Sequence, residues 1–201
     1  FSDGSLWGIE QVRADDLGDW EYASPLSNII VAVIDTGMDM DHEDLVGAIT
    51  DVTVGGQTVH GFNAINESYN PQDDHGHGTH VAGTIAATGD NNLGVVGVAS
   101  GVKILPVKVM NSNGDGTTED VAQGIRWAAD HGADVINLSI GSTDYSEIEE
   151  AAVNYAYNKG VVVVAASGND SNNWTSGAAD LYDSGQAIAN APVNYPAAYD
   201  N

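Results

Sequence analysis

The chain has 201 residues, with 29 Asp plus Glu against 5 Lys plus Arg and a formal charge of −24. Such a balance lacks the clustered cations that neutralise phosphate, which excludes an ordinary nucleic-acid binder, and an anionic membrane surface would repel it too. Hydrophobic residues make up 42% of the chain, an ordinary globular share, and no apolar run approaches the roughly 18 residues of a membrane span; a soluble, folded protein is expected.

There is no Cys, so disulfides and thiol catalysis are absent. Of the acids 21 are Asp, the shorter carboxylate that favours caps, turns and metal-binding loops. A salt-adapted surface and a calcium-binding protein both predict that bias, and most of these acids belong to a solvated coat. The polar opening Phe1-Ser2-Asp3-Gly4-Ser5, without Met, reads as the new N-terminus of a processed or a trimmed chain.

Residues 29–34 form the first of four Val- and Ile-rich runs without alternation, the pattern of a strand buried on both faces in a parallel sheet. Residues 73–83, rich in His and Gly, lead into an apolar helical stretch that reaches Ala87. A second strand is expected over 103–109. It is followed by a helix over 117–131, where Thr117 and Asp120 have capping-box spacing, Val121, Ile125 and Ala128 or Ala129 share a face, and Gly132 is the stop. The third strand spans 134–140. The next helix, 145–159, carries Ile148, Ala152 and Tyr155 and is stopped by Gly160, and the fourth strand spans 161–166. Two successive β-α-β units make the fold class α/β, with right-handed crossovers expected. Residues 170–191, rich in Asn, Ser, Gly, Asp and Ala, read as a long surface loop. No repeat or linker divides the chain, so a single domain over 1–201 is expected.

The first strand ends in Val33-Ile34-Asp35-Thr36-Gly37, placing a carboxylate at the carboxyl end of a buried strand, where open α/β sheets build their sites. Two chemistries compete for the histidines of Asp73-Asp74-His75-Gly76-His77-Gly78-Thr79-His80. His75, His77 and His80 could ligate zinc, but no H-E-x-x-H arrangement is present and alternating glycines make a poor rigid scaffold. Alternatively one histidine is a general base oriented by a buried carboxylate, for which Asp35 is the natural partner.

Residues 31–45 (VAVIDTGMDMDHEDL), 77–83 (HGTHVAG), 137–141 (NLSIG) and 165–169 (AASGN), in that order, resemble the subtilisin-like serine proteases, the subtilases. The similarity runs from about Trp7 to the last residue. It implies a three-layer fold with a mostly parallel central sheet flanked by helices, and a secreted endopeptidase acting on polypeptide substrates. Asp35 matches the triad aspartate, His77 the triad histidine and Asn169 the side-chain donor of the oxyanion hole. Ser139-Ile140-Gly141 and Gly114-Asp115-Gly116 resemble the two extended segments that grip a peptide by β-augmentation. The resemblance also implies Ca2+, with Asp3 and Asp44 as side-chain ligands and the loop that carries Gly89, Asn91, Leu93 and Val95 supplying further oxygens. His75 and His80 receive no special role.

The serine nucleophile of that family stands in a Gly-Thr-Ser-Met-Ala motif, which is absent here, and Ser176 is assigned no catalytic role. The chain therefore reads as roughly the first two-thirds of a mature protease, nicked or truncated before the nucleophile. Its expected partners are the C-terminal remainder of the same protease, a separate chain if the protein is nicked, and a propeptide or protein inhibitor. A non-catalytic, peptide-binding module lacking the nucleophile is the alternative.

Overall fold

The computed structural model describes residues 9, 11–12, 26–168 and 195–199. Strand β1 (Ile30–Asp35) is built from β-branched and small residues whose side chains alternate between two covered faces. Val31 and Val33 enter one apolar cluster, and Ala32 and Ile34 enter the other. That double burial is what an uninterrupted apolar run implies, and it requires helices on both sides of the sheet.

Among the described residues the sheet has five strands. Beside β1 lie β4 (Phe62–Asn63), β5 (Lys103–Lys108), β6 (Val135–Leu138) and β7 (Val162–Ala165), in the order β4-β5-β1-β6-β7 with every pairing parallel. Helix α1 (His77–Ala86) covers one face through Ala82 and Ala86, which meet Val31, Val33 and Ile104. Helices α2 (Thr118–Asp130) and α3 (Glu147–Asn158) cover the other through Ile125, Ala128, Ala152 and Val153, which meet Ile34, Leu105 and Leu138. Burying each of the larger aliphatic side chains stabilises the fold by roughly 1.5–3 kcal/mol. The result is the expected three-layer α/β architecture.

The chain order gives β1 special standing. Its neighbours are β5 on one side and β6 on the other, so the connection through α2 passes over β1 to reach β6. A crevice opens where neighbouring connections leave in opposite directions, and here it lies beyond the carboxyl end of β1. Asp35 is the last residue of that strand.

Local signals account for most boundaries. The Thr117 hydroxyl accepts from the Asp120 amide at 3.1 Å, which is the cap that the spacing predicts for α2. Ser146 caps α3 through the Glu149 amide at 3.3 Å. Two expectations fail. The hairpin of β2 (Val52–Val54) and β3 (Gln57–Val59) was not among the anticipated elements, although Gly55 and Gly56, both with positive φ, form the two-residue turn that closes such hairpins. Burial on both faces also fails for β7, where Val162 and Val164 are 58% and 49% exposed because no described element covers that side.

Candidate active site

Asp35 is fully buried and flanked by β5 and β6. One carboxylate oxygen, Oδ1, accepts the Thr36 amide at 2.7 Å and lies 2.7 Å from Nδ1 of His77. The other, Oδ2, has no hydrogen-bond partner among the described residues. A carboxylate so poorly solvated interacts strongly with any positive charge that develops on its neighbour. The His77 side chain is 44% exposed. One edge of the ring is therefore fixed from below and the rest is reachable from the crevice.

The approach of helix to strand depends on atoms that are missing. A Cβ at Gly78 would lie 2.1 Å from the Gly37 carbonyl oxygen and 3.1 Å from the Asp35 Cβ, so only glycine lets the first turn of α1 rest on the loop after β1. Thr36 joins the two segments: its hydroxyl accepts the Gly78 amide at 2.9 Å and donates to Asp73 Oδ1 at 2.9 Å.

Asp73 completes the attachment. Its carboxylate accepts the amides of His75 and Gly76 at 2.9 Å each, the Thr79 amide at 3.0 Å and the Thr79 hydroxyl at 2.5 Å. It thereby satisfies amides that a helix start leaves without internal partners, and its charge suits the positive end of the helix dipole. Burial pushes its carboxyl group up, but the hydrogen bonds from Gly76, Thr79 and His75 outweigh that and hold it well below the usual carboxylate range. Lys108, only 4% exposed, acts from the β5 side. Its ammonium donates to the carbonyls of Thr36 and Met110 at 2.7 Å each and to Asp74 Oδ1 at 2.6 Å. Neither Asp73 nor Lys108 was singled out from the sequence. The signals were present: an acid placed just before a glycine-broken helix start, and a lysine closing an otherwise apolar strand.

A cleft of about 600 Å³ opens beside His77. Its walls include Gly114, Asp115 and Gly116 on one side and Ser139, Ile140 and Gly141 on the other, so both anticipated peptide-gripping segments border the same space. The first is a closed turn: Asn111 donates its amide to the Asp115 carbonyl at 2.8 Å, and Gly116 pairs with Met110. On the second wall, Ser139 accepts from the Asn137 side-chain amide at 2.9 Å, and Ser142 pairs with Tyr195 through two backbone hydrogen bonds. His75, given no role from the sequence, also lines the cleft. A Cβ at Gly114 would come 3.4 Å from its Nε2. Ring centroids of His75 and His77 are 6.4 Å apart, and among the described residues no group of three or more His, Cys, Asp or Glu side chains converges as a metal cluster.

Of the anticipated calcium ligands, Asp44 is 2% exposed and covered by the 89–95 loop. The Asn91 amide donates to its Oδ1 at 2.6 Å and the Val95 amide to its Oδ2 at 3.3 Å. Leu93 and Val95 are exposed, and Gly89 donates its amide to the Ser100 hydroxyl at 2.9 Å. Asp3 and Asn169 lie outside the described residues.

A buried strand-end aspartate gripping a helix-start histidine, at a crevice between β5 and β6, is the arrangement that the ordered motifs anticipate. The chain belongs to the subtilase family, whose model matches residues 27–201. It is 41% identical to subtilisin DY of Bacillus licheniformis over 195 residues, covering 97% of this chain and 61% of that protein. Thermitase of Thermoactinomyces vulgaris is 39% identical over 195 residues, with 97% and 59% covered. A thermophilic serine proteinase of Bacillus sp. strain AK1 is 44% identical over 156 residues, or 78% of this chain and 37% of that protein. The chain thus spans about 60% or less of the length of these relatives.

Proposed function

We propose that the complete protein is a serine endopeptidase that hydrolyses peptide bonds through an acyl-enzyme, with its nucleophilic serine beyond residue 201. The observation that carries this reading is the 2.7 Å contact between His77 Nδ1 and the fully buried Asp35. That contact holds the proton on Nδ1 and leaves Nε2 as the basic nitrogen facing the crevice. Nε2 then takes the serine proton as the hydroxyl attacks the substrate carbonyl, and returns it to the leaving amine as the C–N bond breaks. Asp35 stabilises the imidazolium that forms between the two transfers. Asn169, with a backbone N–H, would donate to the oxyanion, a contribution of about 3 to 4 kcal/mol on a scale measured on subtilisin itself. The Gly114–Gly116 and Ser139–Gly141 walls would hold an extended substrate between them by main-chain hydrogen bonds. A propeptide or protein inhibitor would occupy the same space as a substrate-like segment.

A serine-directed phosphonofluoridate probe tests the reaction class. The complete protein should be labelled on one serine, and tryptic mapping should place it C-terminal to residue 201, whether that part is continuous with this chain or held beside it after a nick. A folded, complete protein that takes no label is instead a peptide-binding module without a nucleophile.

Ca2+ is proposed for the loop over Asp44. Among the described residues the buried carboxylate receives two N–H donors and no cationic side chain, and a Cβ at Gly94 would fall 2.6 Å from Asp44 Oδ2. A hard cation bound by Asp44 and Asp3, the Asn91 amide oxygen and carbonyls of Gly89, Leu93 and Val95 would supply the missing positive charge; Asn91 would have to turn its oxygen inward. Saturation at about 100 times Kd stabilises by about 2.7 kcal/mol, or roughly 5–10 °C in Tm for a protein of this size. Equal melting temperatures in excess Ca2+ and in excess chelator would remove the site; Asp44→Ala should abolish the difference.

Export to an extracellular setting is also proposed. It is supported by the acidic coat, and by a Bacillus subtilis relative, 37% identical over 195 residues, named a minor extracellular protease. Among the described residues no helix is long and apolar enough to cross a membrane.

A further inference from the structure

Glu149, on the first turn of α3, is 4% exposed and lines the same cleft as His77. Its position is unusual for its chemistry. Ser146 and Glu149 have capping-box spacing, and a glutamate there ordinarily folds back onto the N-cap amide or stays in water. Here Glu149 is instead buried in the wall of the cleft. The only hydrogen bond to its carboxylate among the described residues comes from the Tyr199 hydroxyl, 3.2 Å from Oε2, and that hydroxyl also lies 3.1 Å from the Ser146 carbonyl. Burial pushes the carboxyl group above its ordinary range, and the Tyr199 bond pulls it back only in part.

A buried carboxylate with one shared donor lacks a cation, and the described residues supply none. Among the described residues the cleft lining contains no Lys or Arg. Lys103 bonds the Gly47 carbonyl, Lys108 is held by Thr36, Met110 and Asp74, Lys159 pairs with Asp130, and Arg126 lies over the Tyr155 ring. The apolar and aromatic part of the cleft lining comes from Met110, Val121, Ile140 and Tyr195. Such a slot suits a long aliphatic stem ending in a charge, and a guanidinium can also stack on a tyrosine face.

We infer that Glu149 is a specificity-determining residue: it selects peptide substrates with an arginine or lysine at the one position whose side chain reaches it in the cleft. This rests on the protease reading and adds the substrate class to it. The chain's −24 charge draws the same substrates toward the cleft over longer range.

The test is a positional-scanning library of internally quenched peptides, cleaved by the complete protein and by Glu149→Gln. Wild type should favour Arg or Lys over isosteric norleucine at one position by about 10-fold or more, the scale of a desolvated charge-assisted hydrogen bond, and disfavour Glu there. Glu149→Gln should bring the Arg-to-norleucine ratio close to one. In wild type alone, that ratio should fall as salt is raised, which keeps the inference testable if the variant folds poorly. A wild type that cleaves peptides with no basic preference at any position, or a ratio unchanged in Glu149→Gln, overturns the inference and leaves the protease reading standing. A wild type that cleaves no peptide and takes no serine-directed label overturns both.

Discussion

His77→Ala in the complete protein is expected to lower kcat/KM for peptide hydrolysis by at least about 10⁴-fold, the scale established for acyl-transfer triads, subtilisin among them. That corresponds to about 5.5 kcal/mol of transition-state stabilisation. The geometry gives the reason for so large a loss. The ring is the sole described base whose second nitrogen is fixed by a buried carboxylate, at 2.7 Å, while the rest of the side chain stays 44% exposed. Asp35→Asn should cost a comparable amount by a different route. An Asn can present its amide N–H to Nδ1, which places the ring proton on Nε2 and removes the base from the side where it is needed. Because the two residues act as one unit, the double variant should be little worse than either single one. Thermal melting of His77→Ala should remain close to wild type, since a half-exposed side chain is removed and no core is opened. Activity within tenfold of wild type in His77→Ala would end the assignment.

Asp35 and His77 were legible because their neighbours are constrained as tightly as they are. Asp35 closes a run of five hydrophobic residues that only a buried strand explains, and His77 sits among glycines that only a close helix-to-loop contact explains. The cap of α2 was legible for the same local reason, as Thr117 acts within three residues of itself, whereas the Ser146 cap of α3 has the same spacing and was not singled out. What joins distant segments was not legible. Asp73 reads as one more acid in an acidic chain until its carboxylate is seen to collect bonds from both the helix start and Thr36, 37 residues away. Lys108 reads as the exposed end of a strand, and only the order β5-β1 puts its ammonium under the Thr36 carbonyl. Glu149 fits its capping box so well that the sequence offers no reason to look for it in the wall of the cleft. Local periodicity carries the elements, whereas strand order decides which side chains meet.

Gly78→Ala tests whether that meeting is as tight as it looks, because propensity and packing predict opposite signs. Gly78 is a helical residue of α1, and replacing a helical glycine by alanine ordinarily stabilises by up to about 1 kcal/mol. Here the new methyl would stand 2.1 Å from the Gly37 carbonyl oxygen, a backbone atom that cannot swing aside. Nor can Gly37 retreat as a unit: a Cβ at its own position would be 2.4 Å from the Pro71 carbonyl oxygen, and the next residue, Met38, donates its amide to that same oxygen at 2.9 Å. The helix must therefore lift, stretching the 2.9 Å bond from the Gly78 amide to Thr36 and the 2.7 Å contact of the adjacent His77 with Asp35. Overpacking of this kind costs about 1–3 kcal/mol, which is several degrees in Tm. A displacement of about 1 Å at the base costs about 100-fold in turnover. Gly83→Ala is the internal control, being on the same helix with nothing within 4 Å of its Cβ position, so it should be neutral or stabilising and fully active. If Gly78→Ala behaves like Gly83→Ala in both melting and turnover, the first turn of α1 is not seated on the β1 loop as described, and Asp35 does not orient His77 through that contact.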